Sequence, residues 1–390
     1  MDIDKIREGI KAFESGIFVN SAGSSIPPLP VNQAISSYLN REEEIGGYAM
    51  QFEAEEILSE FHQEVATLIH CESSSIAFAS SATDAYGKAL SSIPFEAGDT
   101  ILTSDDDYVS NYFQFINLRD RYGARILRMP LLENGDLDLI GIQNQIEREN
   151  PKIVALAHIP TNSGLVQDAA AVGQLCAEAE VIYLVDACQS VGQMEVSVKE
   201  LQCDFLSVTG RKFMRGPRGT GFLYVSPRML DAGTRPITMD GGGAVWTNAL
   251  EYTLEASAKR YELWEKSYAL LDGLKEAVRF ANKLGMPEIE KYNARLMSHL
   301  RGNIKHLPHV KMLDRGSRLC NILTFRKDGV GKEHTQEHLK KHKVSCGIGV
   351  RGHAVIDYDK KGIDWLVRLS PHYFNTMEEM DELTKIIDAL

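Results

Sequence analysis

Apolar residues along the first two thirds of the chain gather in short runs at 75–80, 100–104, 125–129, 153–159, 181–186, 205–208 and 221–225. Such runs, bounded by polar turns, predict strands buried on both faces. Between most of them the pattern changes period. Over 168–179 the apolar positions recur every three and four residues, the spacing of one helical face. Alternating strands and helices predict an α/β fold with a largely parallel sheet covered by helices on both faces. In such sheets ligands bind beyond the carboxyl ends of the strands. The residues just after each strand are therefore the ones to search for chemistry.

Past residue 250 the pattern shifts. Helical periodicity over 254–284 predicts one long helix stopped by Met286-Pro287, then a second over 288–306. Short strands follow at 321–325, 344–348 and 365–369, and a terminal helix at 377–390. A chain of 390 residues suits two packed domains. The expected division is an N-terminal segment 1–20, a large domain 21–252 and a small C-terminal α/β domain 253–390, onto which the N-terminal residues can fold.

The net charge of −12 turns the surface away from nucleic acid and anionic membranes. No apolar run approaches the roughly 20 residues of a membrane helix. The six cysteines form no CxxC pair, and the first residues lack a signal-peptide pattern. The expectation is a cytoplasmic protein with reduced thiols.

Two post-strand turns carry the chemistry. One is Val185-Asp186-Ala187-Cys188-Gln189-Ser190. The other is Thr209-Gly210-Arg211-Lys212, followed by the glycine-rich stretch Gly216-Pro217-Arg218-Gly219-Thr220-Gly221. A third turn, Ser80-Ser81-Ala82-Thr83, enters a helix. Pyridoxal phosphate (PLP) needs such parts: a lysine to bind the aldehyde as an imine, a carboxylate opposite the pyridine nitrogen, an anion nest and a stacking ring. Lys212, Asp186, the Ala82-Thr83 turn with Thr209 and Arg211, then Tyr108 and Gln189 supply them.

These motifs resemble the class V aminotransferase group of PLP enzymes, which includes the cysteine desulfurases. The resemblance runs from Asn20-Ser21-Ala22-Gly23 to Arg368-Leu369-Ser370-Pro371. It implies PLP fold type I with a seven-stranded, mainly parallel sheet in the large domain, a homodimer with the site at the subunit interface, and roles by position. Asp186 would face the pyridine nitrogen, Gln189 the phenolate oxygen, Thr161 the ring, and Arg368 the substrate carboxylate. Tyr108 stands where desulfurases carry a stacking histidine; Ala22 and Tyr48 are further substrate-side candidates. The stretches around Gly46-Gly47-Tyr48, Lys212-Phe213-Met214-Arg215 and Pro371-His372-Tyr373 look most like the C–S lyases of ergothioneine biosynthesis. The sulfur-accepting cysteine of desulfurases would fall on or near Val350, with Cys346 earlier in the chain, which disfavours that reaction.

Each residue also has a plainer reading. Lys212 could be a surface lysine, Asp186 a helix cap, Arg368 half of a salt bridge, and Tyr108 a junction aromatic. Cys188 suits packing. His334, His338 and His342 share a helix face among lysines and suit a solvated surface, so no metal is expected. Taken together, the residues predict a PLP-dependent enzyme, and the resemblance implies a C–S β-lyase acting on a cysteine-derived conjugate or sulfoxide. An aminotransferase or epimerase is the alternative, a desulfurase less favoured, and a non-catalytic scaffold least.

Overall fold

A computed structural model describes residues 1–390. Its main sheet has seven strands: β1 (Ile76–Ala79), β2 (Thr100–Thr103), β3 (Arg125–Arg128), β4 (Ile153–Ala157), β5 (Ile182–Asp186), β6 (Phe205–Thr209) and β7 (Gly221–Val225). Their order is β1-β7-β6-β5-β4-β2-β3. Only β7 runs antiparallel to its neighbours. The carboxyl ends of β1, β2, β4, β5 and β6 therefore meet along one edge. Five of the seven apolar runs extend one or two residues beyond their strand into the adjoining turns, and the run 205–208 stops one residue short of the end of β6.

Period-two alternation sorts the strand side chains onto two faces. Val154, Leu156, Tyr183, Val185, Leu206 and Val208 join the core on one side. Ile153, Ala155, Leu184, Phe205, Leu223 and Val225 join the core on the other. The edge strand β3 carries exposed Arg125 and Arg128 at its ends, a charge placement that discourages pairing with another chain.

The single helix expected over 254–284 is not what forms. A β-hairpin, β8 (Ala244–Asn248) and β9 (Glu251–Leu254), reaches Leu254. A short 3-10 turn at Ala258–Tyr261 follows, and the helix begins only at Tyr268–Leu284. Tertiary contacts override the local period here. The buried Arg260 guanidinium donates to the carbonyls of Glu255, Ala256, Leu230 and Thr234, two of which a continuous helix would have used. Glu262 turns inward to accept from the Phe78 amide of β1 at 2.8 Å and to meet His62 at 2.7 Å. Pro287 does not stop that helix either. Gly285 does, at φ +85°, and Pro287 lies in the first turn of Met286–Ile304, where its missing N–H costs nothing.

A second, antiparallel sheet holds β10 (Val310–Met312), β11 (Leu323–Lys327), β12 (Gly347–Val350) and β13 (Trp365–Leu369) in the order β10-β11-β13-β12. The strand expected over 344–348 is broken at Cys346. Val344–Ser345 pairs with Ile17–Phe18, and β12 begins only at Gly347. Asn20 bridges to Ser370, which draws the 20–25 segment across the mouth between the sheets. No helix is long and apolar enough to cross a membrane.

Candidate active site

The strand ends converge on Lys212. After β6 the chain turns sharply at Gly210, whose Cβ, if present, would lie 2.3 Å from the Thr220 hydroxyl. That close approach places Lys212 inward, 7% exposed. Burial pushes its amine below the usual lysine range, against the pull of Cys188 and Asp186, while Arg211 and Arg368 add to the lowering. A lysine held this way keeps more of its amine in the free form, the form that acts as nucleophile and base. Its Nζ lies 5.7 Å from the centre of the Tyr108 ring.

Asp186 ends β5 and is held by two donors. The Cys188 amide meets one oxygen at 3.0 Å, and the Asn111 amide meets the other at 3.0 Å. Gln189 donates to the Ala22 carbonyl at 3.3 Å and to the Thr161 hydroxyl at 3.5 Å, while its own side-chain oxygen is buried without a partner. Buried polar atoms are rarely left unsatisfied unless something else occupies the space. Arg368, on β13, reaches across from the second sheet. Its guanidinium donates to the Thr161 hydroxyl at 2.9 Å and the Thr161 carbonyl at 2.8 Å, and its Nε has no partner. Desolvation lowers it to about 10. A side chain on Gly347, opposite Arg368 in the sheet, would come within 3.2 Å of that Nε.

The helix Ala82–Ser91 starts where β1 ends, capped by Ser81, with Thr83 exposed in its first turn. Unpaired amides at such an end attract anions. Gly221 makes the close packing possible, since a Cβ there would lie 2.4 Å from the Val208 carbonyl and 3.3 Å from the Ala82 amide. Thr209 stands opposite Gly221 in the sheet, beside this turn. Arg211 donates to the Gly23 carbonyl. The buried amine, the acid without a bonded cation, the open helix end and the unpartnered Gln189 oxygen fit PLP.

Lys212, Asp186, Gln189, Thr161, Arg368, Tyr108, Arg211 and Ala22 thus gather at one cleft, with Ala82, Thr83 and Thr209 at the end where the helix starts. Tyr48 stands apart. It is 81% exposed, beside Phe52 and Trp264. Two residues escaped the sequence reading. Asn111 could have been found from its spacing, four residues after Asp107 at the start of a helix. Arg215, at φ +60°, is fully buried, donates to the Ile26 carbonyl and packs over Tyr373 and Phe374, a tertiary arrangement that no local pattern announces.

Around Val350, where the resemblance would set a sulfur-accepting cysteine, Val350 pairs with Trp365 and Arg351 binds Asp359 through two hydrogen bonds. Cys346 is half-buried, and desolvation raises its thiol to about 12.

The family model described as aminotransferase class-V matches residues 17–383. A probable cysteine desulfurase of Methanothermobacter thermautotrophicus is 27% identical over all of this chain and 98% of its own length. The apo cysteine desulfurase of Thermococcus onnurineus NA1 superposes with a TM-score of 0.90 at 24% identity, covering 99% and 97% of the two chains. A complex of the cystine C-S lyase C-DES with its product cysteine persulfide superposes at 0.85 and 21% identity, covering 95% and 97%.

Proposed function

The chain belongs to the class V aminotransferase family of PLP-dependent enzymes, and from that premise we propose that it is a C–S β-lyase acting on a cysteine conjugate, disulfide or sulfoxide. The observation that carries this reading is the missing thiol. The resemblance sets the sulfur acceptor on or near Val350, at the end of β12, where this chain has no cysteine, and the Cys346 thiol is held protonated. Sulfur must then leave with its own substituent rather than pass to the protein. The likeness to a cystine C-S lyase agrees with that outcome.

PLP supplies an electron sink that makes the substrate Cα–H acidic. Lys212 would hold the cofactor between turnovers and then, as a free amine, take the Cα proton. Asp186 would keep the ring nitrogen protonated. Ala82, Thr83, Thr209 and Arg211 would hold the phosphate, Tyr108 would cover the ring, and Gln189 and Thr161 would meet its oxygen side. Arg368 would grip the substrate carboxylate, and Ala22 would floor the substrate side. As the β-carbon–sulfur bond breaks, its electron pair would leave with sulfur, as thiolate from a conjugate, persulfide anion from a disulfide or sulfenate from a sulfoxide. Water then releases pyruvate and ammonia.

Incubation with cystine or cysteine S-conjugates should give equimolar pyruvate and ammonia with no keto acid added. Strict dependence on a keto acid would mean a transaminase. Persulfide on the protein after treatment with cysteine would mean a desulfurase.

A second copy of the chain is the proposed partner, in a cytoplasmic setting suited to six free thiols. Tyr48, Phe52, Val245, Trp246 and Leu250 are all mostly exposed in the protomer, and large apolar side chains left in water are what a subunit interface would cover. The protein should sediment as a dimer, and Trp246→Glu should shift it toward monomer. A wild-type monomer at micromolar concentration would refute this assembly.

A further inference from the structure

Behind Asp186 lies a second buried acid. Asp107 closes the turn after β2 and is 3% exposed. Its oxygens accept from the Thr103 hydroxyl at 2.8 Å, the Tyr108 amide at 2.7 Å and the Asn111 side-chain amide at 2.8 Å, all neutral donors. The same Asn111 nitrogen donates its other hydrogen to Asp186 at 3.0 Å. One amide group therefore spans two carboxylates, and Asn111 itself is 2% exposed.

We propose that Asn111 is a positioning residue shared by two acids: it fixes Asp186 toward the cofactor ring nitrogen and couples that nitrogen's hold on its proton to the charge on Asp107. This rests on the reading of Asp186 as the ring-nitrogen partner. An amide nitrogen can only donate, so each of its two bonds favours the ionised form of the acid it touches. Ionised Asp107 adds a negative charge behind Asp186 and holds the ring nitrogen protonated to higher pH. Neutral Asp107 releases that hold.

The surroundings let Asp107 change state within a usable range. Burial raises it to about 6, with the charge on Asp186 adding to the rise and the Asn111 and Thr103 bonds opposing it. The titratable groups facing the pair are Tyr86 from the Ala82–Ser91 helix, Tyr112 from Val109–Tyr122, Tyr183 from β5, and Cys188 and Lys212 beyond Asp186. Burial raises the three tyrosines and Cys188 and keeps them protonated near pH 6. Asp106 is raised to about 6 as well, but it faces Asn162 and Asp357, so Asp107 and Asp186 are the two acids that Asn111 joins.

The test uses the PLP-loaded enzyme and reads the pH dependence of its visible absorbance. The wild type should show an inflection near pH 6 that Asp107→Asn, isosteric and neutral, removes. Asn111→Ala should lower kcat about 10- to 100-fold with a smaller change in KM, the scale of a hydrogen bond to a charged group. It should also weaken PLP retention in equilibrium dialysis. Adding Asp107→Asn to Asn111→Ala should cost little more, because the path between the acids is already cut. Superimposable titrations of wild type and Asp107→Asn, or strictly additive losses in the double variant, overturn the proposal. If Asp186→Asn keeps normal spectrum and retention, the reading of Asp186 itself is wrong. If Asp186→Asn is impaired while Asp107→Asn is silent, only the coupling fails. Asp107→Asn changes no shape, so it remains informative even where Asn111→Ala folds poorly.

Discussion

Lys212→Ala is expected to lose roughly 10⁴-fold or more in kcat, at or beyond the upper range for a general base because the same amine also holds the cofactor. Borohydride reduction of the wild type should leave a covalent adduct on the peptide containing Lys212, and the variant should carry none there. Residual turnover within tenfold of wild type, or an adduct mapping to another lysine, would falsify the assignment. A thermodynamic consequence follows from the buried amine. Its folded-state pKa lies below the usual lysine value because burial penalises the charged form. Folding therefore releases a proton, and the cofactor-free protein bears a cost. The cost is complete at pH below the folded value, fades as pH rises through it, and vanishes above the unfolded value. Lys212→Met should accordingly raise the melting temperature of the cofactor-free protein, and raise it more at pH 6 than at pH 10.

Arg368→Ala should lower kcat/KM by about 100-fold or more, chiefly through KM, since a charged two-point grip on the substrate carboxylate is lost. Arg368→Lys should recover little of it, because an ammonium cannot present two parallel donors and still reach Thr161. The control is a substrate without a carboxylate. A cysteamine S-conjugate should be a poor substrate for the wild type and lose nothing further in the variant. Equal losses on both substrates would show that Arg368 serves packing between the sheets. Its resting contacts make the carboxylate role physically sensible. It binds only neutral oxygens of Thr161 and has an unpartnered Nε, so its charge is left to be matched by an anion.

The main sheet was legible because its strands are buried on both faces and therefore uniformly apolar. Lys212, Asp186 and Gln189 were legible because they sit directly beyond such runs in short turns. What the sequence concealed depends on distant groups. The 254–267 stretch has a helical period, yet Arg260 and Glu262 spend their hydrogen bonds on Leu230, Thr234, His62 and Phe78. Pro287 was read as a stop, although the stop belongs to Gly285. Asn111 was overlooked because its task appears only when Asp107 and Asp186, 79 positions apart in chain number, come to either side of it. Arg215 was passed over as one more basic residue of a glycine-rich turn, while its ring contacts come from the far end of the chain.

The cleft draws its parts from five strand ends of one sheet and from β13 of the other, with the 20–25 segment laid between them. Such a division separates what must stay fixed from what can drift. Asp186 ends β5 and Lys212 follows β6 by one tight turn, whereas the borders 26–30 and 351–356 lie outside the strands and hydrogen-bond to neither. Randomising those two borders should yield variants with altered leaving-group preference that still retain vitamin B6, whereas equal randomisation at the strand ends should yield colourless protein.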